Sequence, residues 1–195
     1  MIEVVGVKKK FRRKKVLENI TFNVKKGEIT ALLGLNGVGK STLLKIIMGL
    51  VKQDQGEVLF NGEKLNYKTY ENIAFVPDVL NTYGDMKIKD AFEYMSMMYE
   101  KWDMDKAYEM LKDFKLTDDL KINKLSKGNI ARVKLILGFA RHPEYLLLDE
   151  PFSALDYQTR LLVCDDVYSI IKNENKSTIL VTHDIGEARC IKVQL

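Results

Sequence analysis

An α/β domain with a mostly parallel sheet at its core, antiparallel strands at its N-terminal end and a helical insert is predicted by three observations. Short apolar runs alternate with segments of helical period. The runs at 29–33 and 145–148 are almost uninterrupted, as in strands covered on both faces. The middle third switches to apolar spacing of three and four residues. In order along the chain, residues 2–7 and 16–24 read as strands, and in the second Ile20, Phe22 and Val24 alternate with polar residues. Lys26-Gly27 makes a turn, and 29–33 enters a glycine-rich loop. A helix is expected from Ser41 to about Met48, ended by Gly49. Residues 56–60 form a strand leading into the turn signal Asn61-Gly62, and 73–76 form another, stopped by Pro77.

From about Lys87 the residues Ile88, Ala91/Phe92, Met95, Met98/Tyr99 and Trp102 recur at helical steps, and a second helix carries Ala107, Met110/Leu111 and Phe114. With a helix from Ser126 to His142, closed by Pro143, the helical subdomain covers about 80–142. The apolar stripe is expected in a core. Tyr94, Met97 and Met98 exceed one stripe, and flexible methionine-rich surface suits docking to a partner. A strand at 145–148 then ends in Asp149-Glu150, a helix covers 156–172, and a strand at 178–182 ends at His183. Strands alternating with helices make the α/β class.

The 195 residues are 46% hydrophobic with only 3 Pro, which excludes a disordered chain and suits one domain over 1–195. The formal net charge is +4. Lys8, Lys9, Lys10, Arg12, Arg13, Lys14 and Lys15, interrupted by Phe11, are able to meet nucleic acid or anionic lipid. With no second basic cluster, a solvated turn between two edge strands is the expected reading. Cys164 and Cys190 have neither disulfide nor metal spacing and are expected as buried reduced thiols. No apolar run reaches membrane-spanning length, and the first residues do not read as an export signal.

Gly34-Leu-Asn36-Gly37-Val38-Gly39-Lys40-Ser41-Thr42 fits the pattern G-x-x-x-x-G-K-[ST] between a predicted strand and a predicted helix, the context that a phosphate-binding P-loop needs. Glycines let the backbone wrap phosphates, and the N–H groups of about 37–42 with the helix dipole face the negative oxygens. Lys40 reaches the β and γ phosphates, and the Ser41 hydroxyl ligates Mg²⁺. Asp149, delivered by a buried strand end, holds Mg²⁺ through water, and Glu150 beside it is the candidate general base. His183 ends the next strand, where it meets the γ-phosphate. His142 reads only as a complement to a helix C-terminus. Together these residues predict a P-loop ATPase, and the absence of an Asn-Lys-x-Asp motif argues against GTP.

These residues, over essentially the whole chain, resemble the ATP-binding cassette (ABC) transporter ATPases. Phe11 stands where that family has an adenine-stacking aromatic. Leu125-Ser126-Lys127-Gly128-Asn129 stands in the signature position, Ser153-Ala154-Leu155-Asp156 in the D-loop, and Thr182-His183-Asp184 in the switch. Val76-Pro77-Asp78, Tyr99-Glu-Lys-Trp102-Asp103 and the signature most resemble the small ATPase subunits of bacterial ABC-2-type exporters of the peptide-antibiotic resistance kind. Asp78 takes the place of a metal-ligating glutamine, and Lys127 and Asn129 replace Gly and Gln of L-S-G-G-Q. The resemblance implies ATP and Mg²⁺ as ligands, with Ser126 and the Gly128 N–H meeting the γ-phosphate across a head-to-tail dimer. Catalysis would rest on Glu150, His183 and Lys40, and the metal on Ser41, Asp149 and Asp78.

The implied partners are a second ABC ATPase, identical or different, and a separate transmembrane permease, with no nucleic acid. The implied location is cytoplasmic, on the inner face of the cell membrane. The family also leads to an expectation of a further strand and helices after His183, so the C-terminal end reads as shortened. Two alternatives stand: a soluble ABC ATPase acting on nucleic acid or ribosomes, and a weakly active regulatory nucleotide-binding subunit.

Overall fold

The computed structural model describes residues 1–79 and 85–191, and within them every side chain except that of Cys190. The expectation for the Cys190 thiol, and the first residues assigned to the helical insert, therefore lie outside the described residues. In chain order the elements are β1 (Ile2–Phe11), β2 (Lys14–Val24), β3 (Ile29–Leu33), α1 (Lys40–Ile47), β4 (Gln55–Phe60), β5 (Glu63–Lys64), α2 (Tyr67–Glu71), β6 (Ile73–Val76), α3 (Ile88–Met98), α4 (Met104–Asp113), α5 (Lys127–Phe139), β7 (Tyr145–Asp149), α6 (Tyr157–Asn173), β8 (Ser177–Thr182) and α7 (Ile185–Cys190).

Two sheets form among them. One is parallel, in the order β3-β8-β7-β6, and the other antiparallel, in the order β2-β1-β4-β5. Every residue of β7 and β8 is buried, which explains their continuous apolar runs. The period of two sorts their side chains to opposite sides. Leu146, Leu148 and Leu180 join the core under α3, α5 and α6, while Tyr145, Leu147, Ile179 and Val181 join the core shared with α1 and the antiparallel sheet. Each such fully buried side chain contributes about 1.5–3 kcal/mol. Since all four parallel strands point the same way, Leu33, Val76, Asp149 and Thr182 arrive at one edge. That edge is where open α/β sheets hold ligands.

Several boundaries differ from expectation, each for a visible reason. The turn expected in the basic run is present but shorter: β1 continues to Phe11 and β2 starts at Lys14, leaving two residues, Arg12-Arg13, with Arg12 at φ 53. Lysines are no obstacle to pairing even inside the sheet: β1 is paired on both sides, with Lys8 opposite Gln55 of β4, and Lys9 Nζ donates to the Asp54 carboxylate at 3.1 Å. The helix expected to run on toward Trp102 ends at Met98, where Tyr99 is extended and the Arg141 guanidinium lies 3.5 Å from its ring centre. Trp102 still packs against Phe92, ring centres 5.7 Å apart, so its apolar periodicity reports a core contact made from a loop.

Helix α5 stops at Phe139 rather than His142, because His142 has φ 47 and cannot continue a right-handed helix. Its role also differs from the expected one. Instead of complementing a helix end, its Nε2 lies 2.8 Å from Oδ2 of Asp103, the residue that caps α4. Elements β5, α2 and α7 were not anticipated. The first has two residues, and the two helices are single short turns begun by the caps Asn66 and Asp184. In α3, Ile88, Ala91, Phe92 and Met95 are buried as expected, whereas Met97 is 82% and Met98 57% exposed. Cys164 is buried in α6.

Candidate functional site

The loop between β3 and α1 supplies the phosphate-sized cradle. Gly37 and Gly39 have φ of 80 and 108, in the left-handed region that side chains disfavour. A Cβ on Gly39 would lie 2.8 Å from Val16 Cγ1 and 3.0 Å from its carbonyl oxygen, so only glycine lets the loop close against β2. Helix α1 starts at once, with no side chain capping it, so the backbone N–H groups of its first turn are left for an anion. Lys40 Nζ donates to the carbonyls of Gly34 at 2.5 Å and Leu35 at 3.0 Å, and lies 3.8 Å from Glu150 Oε1. That places an ammonium group directly over the cradle.

From the other strands come the acids. Asp149 ends β7, and Ser41 Oγ donates to its Oδ1 at 3.1 Å although 108 residues separate the two. Burial pushes the Asp149 carboxyl above its ordinary value. The Ser41 hydrogen bond opposes this, and the charges of Asp78 and Glu150 add to it. Glu150 takes a left-handed turn at φ 48, with its N–H held by the Val181 carbonyl at 2.9 Å, which swings its side chain off the strand line. Its Oε2 then lies 2.8 Å from His183 Nδ1. Asp78 follows Pro77 at the end of β6, and Ser153 Oγ reaches both its Oδ1, at 3.4 Å, and the Glu150 carbonyl, at 3.0 Å.

Around these groups lies a cleft of about 570 Å³ lined by Phe11, Val16, Asn36, Gly37, Gly39, Lys40, Ser41, Thr42, Asp78, Glu150, Ser153 and His183. Phe11, 47% exposed, is among the lining residues, with the Lys9 ammonium 5.2 Å from its ring centre. The cleft thus has a flat apolar end, a middle of free N–H groups and one lysine, and an acidic end. A nucleoside triphosphate with its magnesium ion presents the complementary sequence: a flat base, anionic phosphates and a cation.

The acidic end fits a magnesium ion. Its donors are the Ser41 hydroxyl and the carboxylates of Asp149 and Asp78, all hard oxygens. Among the described residues no group of three or more His, Cys, Asp or Glu side chains forms a metal cage on its own. Phosphate oxygens and water would complete the coordination, as is usual for Mg²⁺.

Val38, an exposed loop residue, and the signature residues Ser126 and Gly128 do not line the cleft. Ser126 caps α5, accepting from the Asn129 N–H at 3.3 Å, and Gly128 packs beside Leu155 and Ala154. Sequence reasoning missed Val16 as a wall of the cleft and Lys134 beneath it. Lys134 Nζ donates to the carbonyls of Pro77 and Asp78 at 2.8 and 2.6 Å, and burial pulls its amine below the ordinary value against the charges of Asp78 and Asp149. A single lysine in a helical segment gives no signal that it points inward.

Residues 17–153 match the family model described as ABC transporter. An uncharacterized ABC transporter ATP-binding protein of Methanocaldococcus jannaschii is 35% identical over 189 residues, covering 94% of this chain and 68% of that relative. The aliphatic sulfonates import ATP-binding protein SsuB of Bacillus cereus is 33% identical, covering 96% of this chain and 76% of the relative. A solved dimeric bacterial ABC transporter cassette superposes with a TM-score of 0.81 at 28% identity, covering 97% of this chain and 91% of that one. The chain is thus similar to about two thirds to three quarters of these curated relatives.

Proposed function

The chain belongs to the ABC transporter family as an ATP-binding subunit that takes ATP with Mg²⁺, and from that premise we propose that it hydrolyses ATP within a dimer to drive export through a separate membrane permease. The observation that carries hydrolysis is the convergence of Lys40, Ser41, Glu150 and His183 on one cleft, with Asp149 behind it accepting from the Ser41 hydroxyl. Lys40 and the N–H groups of α1 bind the triphosphate, and Phe11 receives the adenine. Ser41, Asp149 and Asp78 would hold magnesium, which when bound would neutralise charge on the phosphate oxygens. Glu150 takes the proton of the attacking water, while His183 orients that carboxylate and faces the transferred phosphoryl group.

Ser126 and Gly128 lie off the cleft, so they serve a second copy or a related cassette, meeting the γ-phosphate bound there. Gathering charge between two subunits makes closure depend on ATP and reopening on hydrolysis. The exposed Tyr94, Met97 and Met98 give the permease a deformable apolar surface. Export is supported by the exporter-like segments around Asp78, Trp102 and Lys127, and not by overall identity, since a relative named for import is 33% identical. No helix of the described residues is long and apolar enough to cross a membrane. The proposed place is therefore the inner face of the cell membrane, held there by the permease.

Expression of the chain with an affinity tag in its native cells tests this reading. A multi-span membrane protein should co-purify, and Mg²⁺-dependent phosphate release should rise in its presence. Recovery of RNA instead, lost on neutralising Lys8, Lys10, Arg12 and Arg13, would replace transport with a nucleic-acid role.

A further inference from the structure

Lys134 lies within α5 and is only 5% exposed. An ammonium this deep is tolerated only where the interior supplies partners. Two of its three donors are spent on the backbone carbonyls of Pro77 and Asp78, at 2.8 and 2.6 Å, so it grips the turn that carries the Asp78 side chain. The carboxylates whose charge reaches it are Asp78 and Asp149. Of the other cations here, Lys40 is turned toward the loop carbonyls and Glu150, and Lys45, whose charge also reaches Asp149, is exposed on α1. Asp78 and Asp149 therefore share one buried counter-charge from beneath, and it comes from a different element. The helix that supplies it begins with the signature pair Ser126 and Gly128, about 12 Å up its axis at 1.5 Å per residue. One rigid helix thus carries the segment assigned to a partner's nucleotide and a grip on this subunit's own metal side.

We propose that Lys134 is a positioning residue that fixes the 77–78 turn, keeps the Asp78 carboxylate at the magnesium side of the cleft and ties that carboxylate to the placement of α5. The inference rests on the Mg-ATP reading above. It explains why a carboxylate at 78, where an amide would need no counter-charge, is matched by a buried lysine.

The test is an equilibrium magnesium titration of the full chain binding a fluorescent ATP analogue, which needs no turnover. Lys134→Met should bind the analogue without magnesium within about twofold of wild type, yet need at least tenfold more Mg²⁺ for half-maximal tightening. In an Asp78→Ala background, which already lacks the carboxylate, Lys134→Met should raise the requirement by no more than about twofold further. An unchanged requirement in Lys134→Met alone, or a full tenfold further rise in the Asp78→Ala background, overturns the proposal. If Lys134→Met does not melt cooperatively, Lys134→Gln is titrated in its place, alone and with Asp78→Ala, and the same outcomes decide. A wild-type chain that binds no ATP defeats the functional reading and this inference with it; a wild type that binds normally beside an indifferent Lys134→Met defeats the inference alone.

Discussion

His183 Nδ1 lies 2.8 Å from Glu150 Oε2, and this contact joins the ends of the neighbouring parallel strands β7 and β8. Neither side chain continues its strand. Glu150 departs by a left-handed turn at φ 48, a conformation that costs on the order of 1 kcal/mol in a non-glycine residue and persists because its N–H is tied to Val181. Strain held at this position aims a carboxylate into the cleft beside Lys40, where a water attacking a bound phosphate would stand.

Glu150→Gln preserves the shape and a hydrogen bond to His183 but removes the base. Phosphate release should fall at least 100-fold, within the usual span of general-base effects. ATP affinity should stay within a few-fold, and ATP-bound dimers should accumulate in size-exclusion chromatography. Release above a tenth of the wild-type rate would remove Glu150 from this role.

Lys40→Ala separates binding from folding. Its ammonium is held by two loop carbonyls, so its loss should cost little in melting temperature. ATP affinity should weaken at least tenfold, about 1.4 kcal/mol, because Lys40 is the one lysine among the described residues lining the cleft. Isothermal titration with ATP checks this, and unchanged affinity would end the phosphate-binding reading of the loop.

How much of this was legible in the sequence depended on whether the geometry was local. The glycine spacing around Lys40 dictates a tight loop and an uncapped helix start within nine residues, so the motif carried its own structure. Asp149 and His183 were legible because each ends an apolar strand, and parallel strands bring such ends to one edge. Lys134 was not, since its burial depends on where α5 packs against the turn after β6, which no periodicity encodes. The basic run was legible as a turn between two strands but not in its length, because charge says nothing of how far backbone pairing extends: Lys10 pairs with Lys15 and Phe11 with Lys14. His142 likewise looked like a helix-end residue, but its partners come from α4 and from the residue after α6.

That far partner gives a pH-dependent prediction. Burial pushes Glu174 up, but hydrogen bonds from Lys106 and from Lys176, the latter 2.7 Å away, outweigh it and hold the carboxyl below its ordinary value of 4.5. A depressed folded value means stability that is present above about pH 4.5 and lost as pH falls through the folded value. Glu174→Gln leaves Lys176, 2% exposed, without its counter-charge, and should lower stability at pH 7 by roughly 3 kcal/mol. Urea unfolding should show the gap between wild type and variant narrowing as pH falls below about 4.5. A gap independent of pH would mean that Glu174 acts through packing.

Phe11→Ala tests the apolar end of the cleft. The ring sits at the last position of β1, half open to solvent beside Val16, with the Lys9 ammonium 5.2 Å from its centre. A base stacked on such a face is worth about 1–3 kcal/mol, so truncation should weaken ATP binding by roughly 5- to 150-fold. Inorganic triphosphate, which lacks a base, should bind both proteins alike, since Lys40 and the α1 N–H groups are untouched. Equal losses for ATP and triphosphate would show instead that Phe11 shapes the hairpin, and that adenine lies elsewhere.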